Sequence, residues 1–558
     1  MQNQINNFYL EFNEYIDYNK KQYLKEKYQY LYKINKKIIF KNRNQRKFIR
    51  NYKHLDGYID KYNKKYIANN LKLEIFDNIN GISIDNNQRK AVLTDEINNL
   101  IIAGAGSGKT LTIVAKIKYL TDIKKIDNKQ ILCISFTNES CKSLKNKVTN
   151  IEVLTFHKLA LKILNNKKYN ISNISLEYII EEYFNSIIYN NESMILKVLK
   201  IYNYELNIKK YRIFLNSNHF KQLKNIIITF ISIFKTNNYS LNKILEIKKN
   251  NNKELLSIII DIYFLYEQEL ESINSIDFND MLNKATKEII KNKIKLPYRY
   301  IIIDEFQDTS YQRYKLIKSI IENNKAKLIV VGDDWQSIYS FTGCNLELFI
   351  NFEKYFGYTK KIFLNNTYRN SQELIDIASK FILKNKKQLK KKLKSNKHIK
   401  KIIKIVYEEE NILENLIVYI SKQGIKNILI LGRNNNDINK YLNKNFTIKN
   451  NIITYKHNNK ISIKYLTVHK SKGLEEDCVI IINLIDNILG FPNKIKNNQI
   501  IELLNDYKID NLEEERRLFY VALTRTKSYI YLVIPKNNIS KFVLELMKDN
   551  KKNIEIIY

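Results

Sequence analysis

Short runs of Ile, Leu and Val recur along the chain, several of them closed by a glycine or an acidic residue. Four lie at Leu100–Ala103, Ile131–Ile134, Tyr300–Ile303 and Leu328–Val331, and four more at Asn427–Leu431, Ile461–Val468, Cys478–Leu484 and Tyr529–Ile534. Near-continuous apolar runs of this length predict parallel strands buried on both faces. Helical periodicity separates them, so the pattern predicts two clusters of α/β strands. Residues 158–276 hold almost no strand signal and much helical signal, which predicts a helical insertion in the first α/β unit. Residues 1–80 are rich in Tyr, Lys, Asn and Glu with patchy helical periodicity, and predict a helical N-terminal extension. Asn/Lys tracts such as Lys248–Lys253 predict loops or solvated helix faces.

A chain of 558 residues has length for several domains and more than one core. The formal net charge of +37 suits a polyanionic partner, although the excess is spread along the whole chain as Lys amid Asn and Ile. Cys133, Cys141, Cys344 and Cys478 form no C-x-x-C pair and predict reduced, mostly buried thiols of a cytosolic protein. The N-terminus carries charges throughout and no apolar h-region. No stretch approaches 18 uninterrupted apolar residues, so neither a signal peptide nor a membrane span is expected, and the location expected is cytoplasmic. Only 12 glycines are present, and six of them (Gly104, Gly106, Gly108, Gly332, Gly343, Gly473) fall in or just after the motifs below. A chain this poor in glycine keeps it where backbone geometry requires it.

Gly104, Ala105, Gly106, Ser107, Gly108, Lys109 and Thr110 fit G-x-x-x-x-G-K-[ST]. The run follows the predicted strand Leu100–Ala103 and precedes a helical stretch, Leu111–Leu120, which is the context this phosphate loop needs. Its glycines let backbone N–H groups turn toward phosphate, and the helix N-terminus adds partial positive charge. Lys109 would neutralise the β- and γ-phosphates, and Thr110 would offer its hydroxyl to Mg²⁺. The predicted strand Tyr300–Ile303 ends in Asp304 and Glu305. There Asp304 would hold the metal, and Glu305 would orient and deprotonate an attacking water.

At Asp304–Thr309 the sequence resembles motif II of the UvrD-like superfamily 1 helicases. The other motifs follow in the family's order. Asn87–Val92 resembles the Q motif, Ser135–Asn138 motif Ia, Leu154–His157 motif Ib, and Ile276–Phe278 the short motif after the helical insertion. Val331–Tyr339 resembles motif III, Asn366–Asn370 motif IV, Leu466–Glu475 motif V, and Arg516–Arg525 motif VI. The resemblance covers about residues 80 to 535.

It implies an α/β fold of two RecA-like P-loop domains with parallel sheets. The first would comprise residues 81–157 and 277–345, with a helical insertion at 158–276. The second would comprise 346–558, without a large helical insertion, and residues 1–80 would form the helical extension. It implies ATP and Mg²⁺ as cofactors, with Gln88 on the adenine edge, Tyr368 stacked on the adenine ring and Glu475 bonded to the ribose. Gln336 would sense the γ-phosphate, and Arg369 and Arg525 would reach it from the second domain. Phe136, Thr137, Asn138, His157, Tyr339, Phe341 and His469 would contact single-stranded DNA, the aromatic groups by stacking.

Two departures matter. Position 342 is Thr where many relatives have Arg, so that Arg's DNA role is not carried over. The gap from Arg369 to Leu466 has room only for a Lys-rich segment and one or two strands with helices, so the accessory helical subdomain is expected to be missing or vestigial. Within the Lys-rich segment, Lys384–Lys391 resembles a stretch that follows motif IV in relatives, with Lys386 where Pro is usual; it also reads as a solvated helix.

The function the resemblance implies is an ATP-dependent helicase or translocase on single-stranded DNA and single/double-strand junctions. Its polarity would be 3′-to-5′, and its setting DNA repair, recombination or replication. The alternative is an ATP-gated DNA-binding subunit of a larger repair or defence complex. A helicase–nuclease fusion is not expected, because only about 33 residues follow Arg525.

Overall fold

The computed structural model describes residues 1–557 other than 165–168, 173, 203, 241, 244–245, 247–252, 459, 496–498 and 505–510. The 248–252 part of the Asn/Lys tract therefore lies outside the described residues. The strands of the first half are β1 (Asn98–Ile102), β2 (Ile131–Ser135), β3 (Glu152–Thr155), β4 (Asn170–Ile171), β5 (Ser275–Ile276), β6 (Tyr300–Ile303), β7 (Lys327–Gly332) and β8 (Lys360–Phe363). All but β4 and β5 form one six-stranded parallel sheet in the order β3-β2-β6-β7-β1-β8.

Strand alternation explains why the apolar runs are continuous. Leu100, Ile102, Leu132, Ile134, Ile301 and Ile303 pack into a core on one face of the sheet. Ile101, Cys133, Tyr300, Ile302, Ile329 and Val331 pack into a second core on the other. Both faces exclude water, so the middle of each central strand is apolar at both parities. Each fully buried Ile or Leu contributes roughly 1.5–3 kcal/mol.

Two features depart from the sequence expectation. β8 pairs in parallel with β1, with Ile101 opposite Ile362. The first α/β unit therefore continues past residue 345, where the sequence placed its end. β8 is an edge strand carrying Lys360 and Lys361, so it lacks the apolar run that marks buried strands. The second departure lies between Arg369 and Leu466. That gap holds four strands rather than one or two: β9 (Ile403–Tyr407), β10 (Asn427–Gly432), β11 (Phe446–Lys449) and β12 (Ile452–Tyr455). Among its described residues there is no helical subdomain, only the helices Gln372–Ile382 and Ile412–Lys422 and one short 3₁₀ turn.

These strands join β13 (Ser462–Thr467), β14 (Cys478–Ile481), β15 (Ile530–Ile534) and β16 (Ile554–Ile556) in an eight-stranded sheet. Its order is β11-β12-β13-β10-β14-β15-β9-β16. It is parallel except at β11–β12–β13, where an antiparallel hairpin is added at one edge. Asn450 and Asn451 turn that hairpin with positive φ, the conformation Asn tolerates.

The insertion after β3 is helical, as expected, apart from the two-residue parallel pair of β4 and β5 at its root. Its core, including Phe184, Tyr211, Ile227 and Ile262, also takes in Ile500 and Leu504 from the second half of the chain.

The N-terminal extension is four helices: α1 (Gln2–Leu10), α2 (Tyr18–Lys37), α3 (Arg43–Lys53) and α4 (Leu55–Asn70). They enclose Phe8, Leu24, Leu31, Phe48 and Ile59. The extension docks on the first sheet at the N-terminal ends of its strands. Asp17 pairs with Lys327 at 2.8 Å, and Tyr18 stacks on Tyr358 with centroids 4.8 Å apart.

Candidate nucleotide and nucleic-acid site

The phosphate loop leaves the C-terminal end of β1 and enters the helix Lys109–Lys118, whose N-cap Gly108 is left-handed with φ 76°. A Cβ on Gly108 would sit 2.5 Å from Gln88 Nε2, and one on Gly106 2.5 Å from Arg369 Cβ. Both glycines are thus favoured by conformation, and Gly106 is required by space as well. Gln88 belongs to a capping box on the helix Asn86–Leu93. Its side chain accepts from Asp85 N at 2.9 Å and donates to Ser107 O at 3.3 Å, which ties the Q motif to the loop.

Lys109 Nζ lies 2.8 Å from the Glu305 carboxylate. Glu305 holds a left-handed backbone (φ 50°), uncommon for a non-glycine residue. Burial pushes the Glu305 carboxyl up, but the Lys109 ammonium and then Lys472 more than reverse this and hold it below the usual carboxylate range. Asp304 goes the other way. Burial, then the neighbouring Glu305 charge, push it up. A buried acid kept reluctant to ionise is what a divalent cation at this position would relieve, and Thr110 stands at the start of the same loop's helix. The residues present therefore fit a Mg²⁺ bound with the nucleotide.

The second α/β unit closes the other side. Tyr368 N donates to Gly106 O at 2.9 Å, and Thr367 Oγ1 donates to Ala105 O at 2.7 Å. The Tyr368 hydroxyl donates to Asp85. Arg525 Nη2 donates to Gln336 Oε1 at 3.0 Å. Arg369 Nε donates to the Glu475 carboxylate at 2.6 Å, so that carboxylate meets an arginine here. All the nucleotide-site candidates converge on one cleft between the two sheets.

Three residues that the sequence left without a role belong to this cleft. Lys472, inside motif V, pairs with Asp308 of motif II and donates to Gln336 O at 2.6 Å. Arg517, inside motif VI, donates from Nε to Ser337 O at 2.6 Å. Lys391 is not on a solvated helix: it lies outside any helix, and its side chain is 1% exposed. It pairs with Asp333 and with Asp334, donates to Ala103 O at 2.9 Å, and sits 4.6 Å from the centre of the Trp335 ring. The first two could have been found from their motifs. Lys391 carries no signal that separates it from the lysines around it.

The nucleic-acid candidates lie at the C-terminal ends of β2, β3, β7 and β13 and form two groups. In the first, Arg313 covers the Phe136 ring at 5.0 Å, leaving it half-buried, and His157 meets the edge of Phe278 at 5.5 Å. Phe278 is 61% exposed and was not among the residues expected from the sequence, although its motif was. Thr137 caps the helix that begins at Asn138. In the second group, Phe341 is 59% exposed and lies 5.6 Å from His469. Tyr339 donates to His469 O at 3.0 Å under Lys472, so its hydroxyl is engaged within the protein. Burial, then Arg313, push the His157 imidazole down to about 4; burial, then Arg433 and Lys472, do the same for His469.

A phosphate loop on one α/β unit, an acidic pair beside it and arginines contributed by a second unit define a two-lobed P-loop nucleoside triphosphatase. The UvrD/REP helicase N-terminal domain matches residues 84–357, and the UvrD-like helicase C-terminal domain matches residues 440–537. The chain belongs to the UvrD-like helicase family, a family of ATP-dependent DNA helicases. It is similar to DNA helicase IV of Escherichia coli, 28% identical over 85% of this chain and 72% of that protein. It also resembles a probable DNA helicase II homolog of Mycoplasma capricolum, 34% identical over 63% of this chain and 49% of the relative. The ATP-dependent DNA helicase Rep of Buchnera aphidicola (strain Bp) is 30% identical over 62% of this chain and 51% of its own length. The chain thus spans nearly three quarters of the first relative and about half of the other two. Among the described residues, no helix is long and apolar enough to cross a membrane.

Proposed function

We propose that the chain is an ATP-driven motor that moves 3′-to-5′ along single-stranded DNA and opens single/double-strand junctions, in DNA repair, recombination or replication. The observation that carries this reading is the contact between Arg525 and Gln336, 3.0 Å apart across the cleft beside Glu305. A side chain of one lobe reports to a side chain of the other at the place where a γ-phosphate would arrive.

The chemistry follows from the residues. Lys109 is engaged by Glu305, and an arriving γ-phosphate would take that lysine over. Glu305 would then accept the proton of the attacking water. Thr110 and Asp304 would hold Mg²⁺, which supplies charge neutralisation on the β- and γ-oxygens. Arg525 and Arg369 would stabilise the charge that develops as the bond to the leaving diphosphate breaks, and would draw the lobes together. Release of phosphate would let the lobes separate, a hinge cycle driven by ligand. The exposed rings of Phe341 and Phe278 supply stacking faces for successive bases, with His157 and His469 uncharged beside them.

The test is steady-state ATP hydrolysis with single-stranded DNA, single-stranded RNA and duplex, followed by strand displacement on duplexes with a 3′ or a 5′ tail. Stimulation by single-stranded DNA and displacement from the 3′ tail are expected. ATP binding without stimulated turnover would replace the motor with an ATP-gated DNA-binding subunit.

A further inference from the structure

We propose that the turn between α2 and α3 of the N-terminal extension is a second DNA-binding site, specific for the sugar–phosphate backbone of duplex DNA and separate from the ATP cleft. Its choice of occupant rests on the DNA-motor reading above.

Residues 27–55 carry ten lysines and arginines and not one Asp or Glu. Residues 377–407 are also basic and free of acids, but there Lys384, Lys391, Lys401 and Lys404 pair with carboxylates from elsewhere in the chain. At 27–55 the charge is left open. Lys36, Lys37, Arg43, Arg46, Lys47 and Arg50 are all exposed. Within the stretch, and among the described residues, only Lys27 forms an ion pair, with Glu11. Such a density of unneutralised cations is held at a cost of self-repulsion that a polyanion would relieve.

The tip is also carried away from the rest of the molecule. α2 is rooted at its N-terminus, where Tyr18 N donates to Glu96 at 2.7 Å. With 20 residues, it places its other end roughly 30 Å along its axis. α4 is rooted at its far end, where the Tyr66 and Tyr119 hydroxyls lie 3.2 Å apart. The roots lie at the N-terminal ends of the first sheet's strands, whereas the phosphate loop and the single-strand candidates lie at the C-terminal ends. A ligand on this tip therefore need not compete with either.

At the apex, Ile39 is 87% exposed and Phe40 92% exposed, between Lys37 and Lys41. Just beyond them a capping box of Asn42 and Gln45 fixes the start of α3. Basic side chains on a capped helix flanking a small apolar wedge suit phosphates on either side of a groove. An anionic membrane is the less suitable partner, because binding in a lipid interface needs a broad apolar helix face. α3 packs its apolar residues Phe48 and Ile49 against the core of the extension and so presents no broad apolar face, and at the apex Ile39 and Phe40 alone stand exposed as aliphatic or phenyl groups.

The test uses the full chain and a quadruple variant, Lys36→Ala, Lys37→Ala, Arg43→Ala and Arg46→Ala, with Phe40→Ala made separately. All five positions are exposed, and matching thermal melting curves establish that the fold is kept. Binding to a blunt labelled duplex is followed by fluorescence anisotropy from low to high salt. The quadruple variant is expected to bind duplex at least tenfold more weakly, with the log K against log salt slope reduced by roughly 3 to 4, at about 0.9 per lost phosphate contact. ATP turnover with single-stranded DNA is expected to stay within twofold of the parent. Unchanged duplex affinity and slope would overturn the proposal. So would loss of co-sedimentation with anionic lipid vesicles while duplex binding is kept, which would assign the tip to a membrane. If the parent chain shows no DNA-stimulated turnover, the motor reading fails, while the duplex measurement still decides this site.

Discussion

Lys391 Nζ lies 2.7 Å from the Asp334 carboxylate, with both side chains sealed from solvent. Asp333, equally buried, shares the same ammonium and in turn accepts from Gln336. One lysine thus bridges two carboxylates of motif III and ties them to the base of the phosphate loop through Ala103. Lys391→Met keeps the length of the side chain and removes its charge. We expect a loss of about 3–5 kcal/mol in urea denaturation, the scale for a buried ion cluster stripped of one partner. A variant as stable as the parent would show that the charge is not needed.

The pair of Lys109 and Glu305 makes opposite predictions for its two members. Lys109→Ala removes the phosphate's counter-charge and should abolish ATP binding and turnover together. Glu305→Gln should lower turnover by about 10²–10⁴-fold, the usual range for a lost general base. It should also bind ATP more tightly than the parent, because the lysine is no longer held by a carboxylate. Nucleotide titration by fluorescence together with turnover rates separates the two. Weaker ATP binding by Glu305→Gln would contradict the competition.

Arg525 and Arg369 approach from the second lobe and should act on the transition state. Replacing Arg525 by Ala is expected to lower kcat by about 10³-fold or more, with a much smaller change in KM. A rise in KM at constant kcat would instead assign Arg525 to ground-state binding.

Phe341 offers the more exposed ring of its group, whereas Tyr339 is engaged by its own hydroxyl. Phe341→Ala should weaken single-strand binding by about 1–3 kcal/mol, and Tyr339→Ala by less. Anisotropy titrations with an oligothymidine measure both. Equal losses would mean that the two rings are not distinguished by exposure.

His157 and His469 are each pushed to about 4, below the ordinary value near 6.5. As pH falls, the unfolded chain takes up these protons first. Their contribution to stability is therefore full above about pH 6.5 and lost on the way down to about pH 4. Melting temperatures measured across this window should fall with pH. The double variant His157→Gln, His469→Gln should show a shallower decline, and an unchanged slope would rule out these two imidazoles as its source.

Much of the site is legible in the amino-acid sequence because its parts are local. A phosphate loop is a strand end, a glycine-rich turn and a helix start within a dozen residues, and burial on both faces forces each central strand into an unbroken apolar run. Those constraints write themselves into consecutive positions. β8 is hidden because an edge strand is spared burial and carries lysines. Lys391 is hidden because a lysine looks the same in sequence whether water or two carboxylates surround it. The basic stretch at 27–55 is visible as composition, but its position on a tip rooted at the far side of the sheet is not. Sequence by itself determined which residues could meet a phosphate and a base, since that chemistry depends on residue type and short spacing. Tertiary structure alone decided that Arg525 meets Gln336, 189 residues away in the chain, because only the packing of two distinct sheets brings those groups to one cleft.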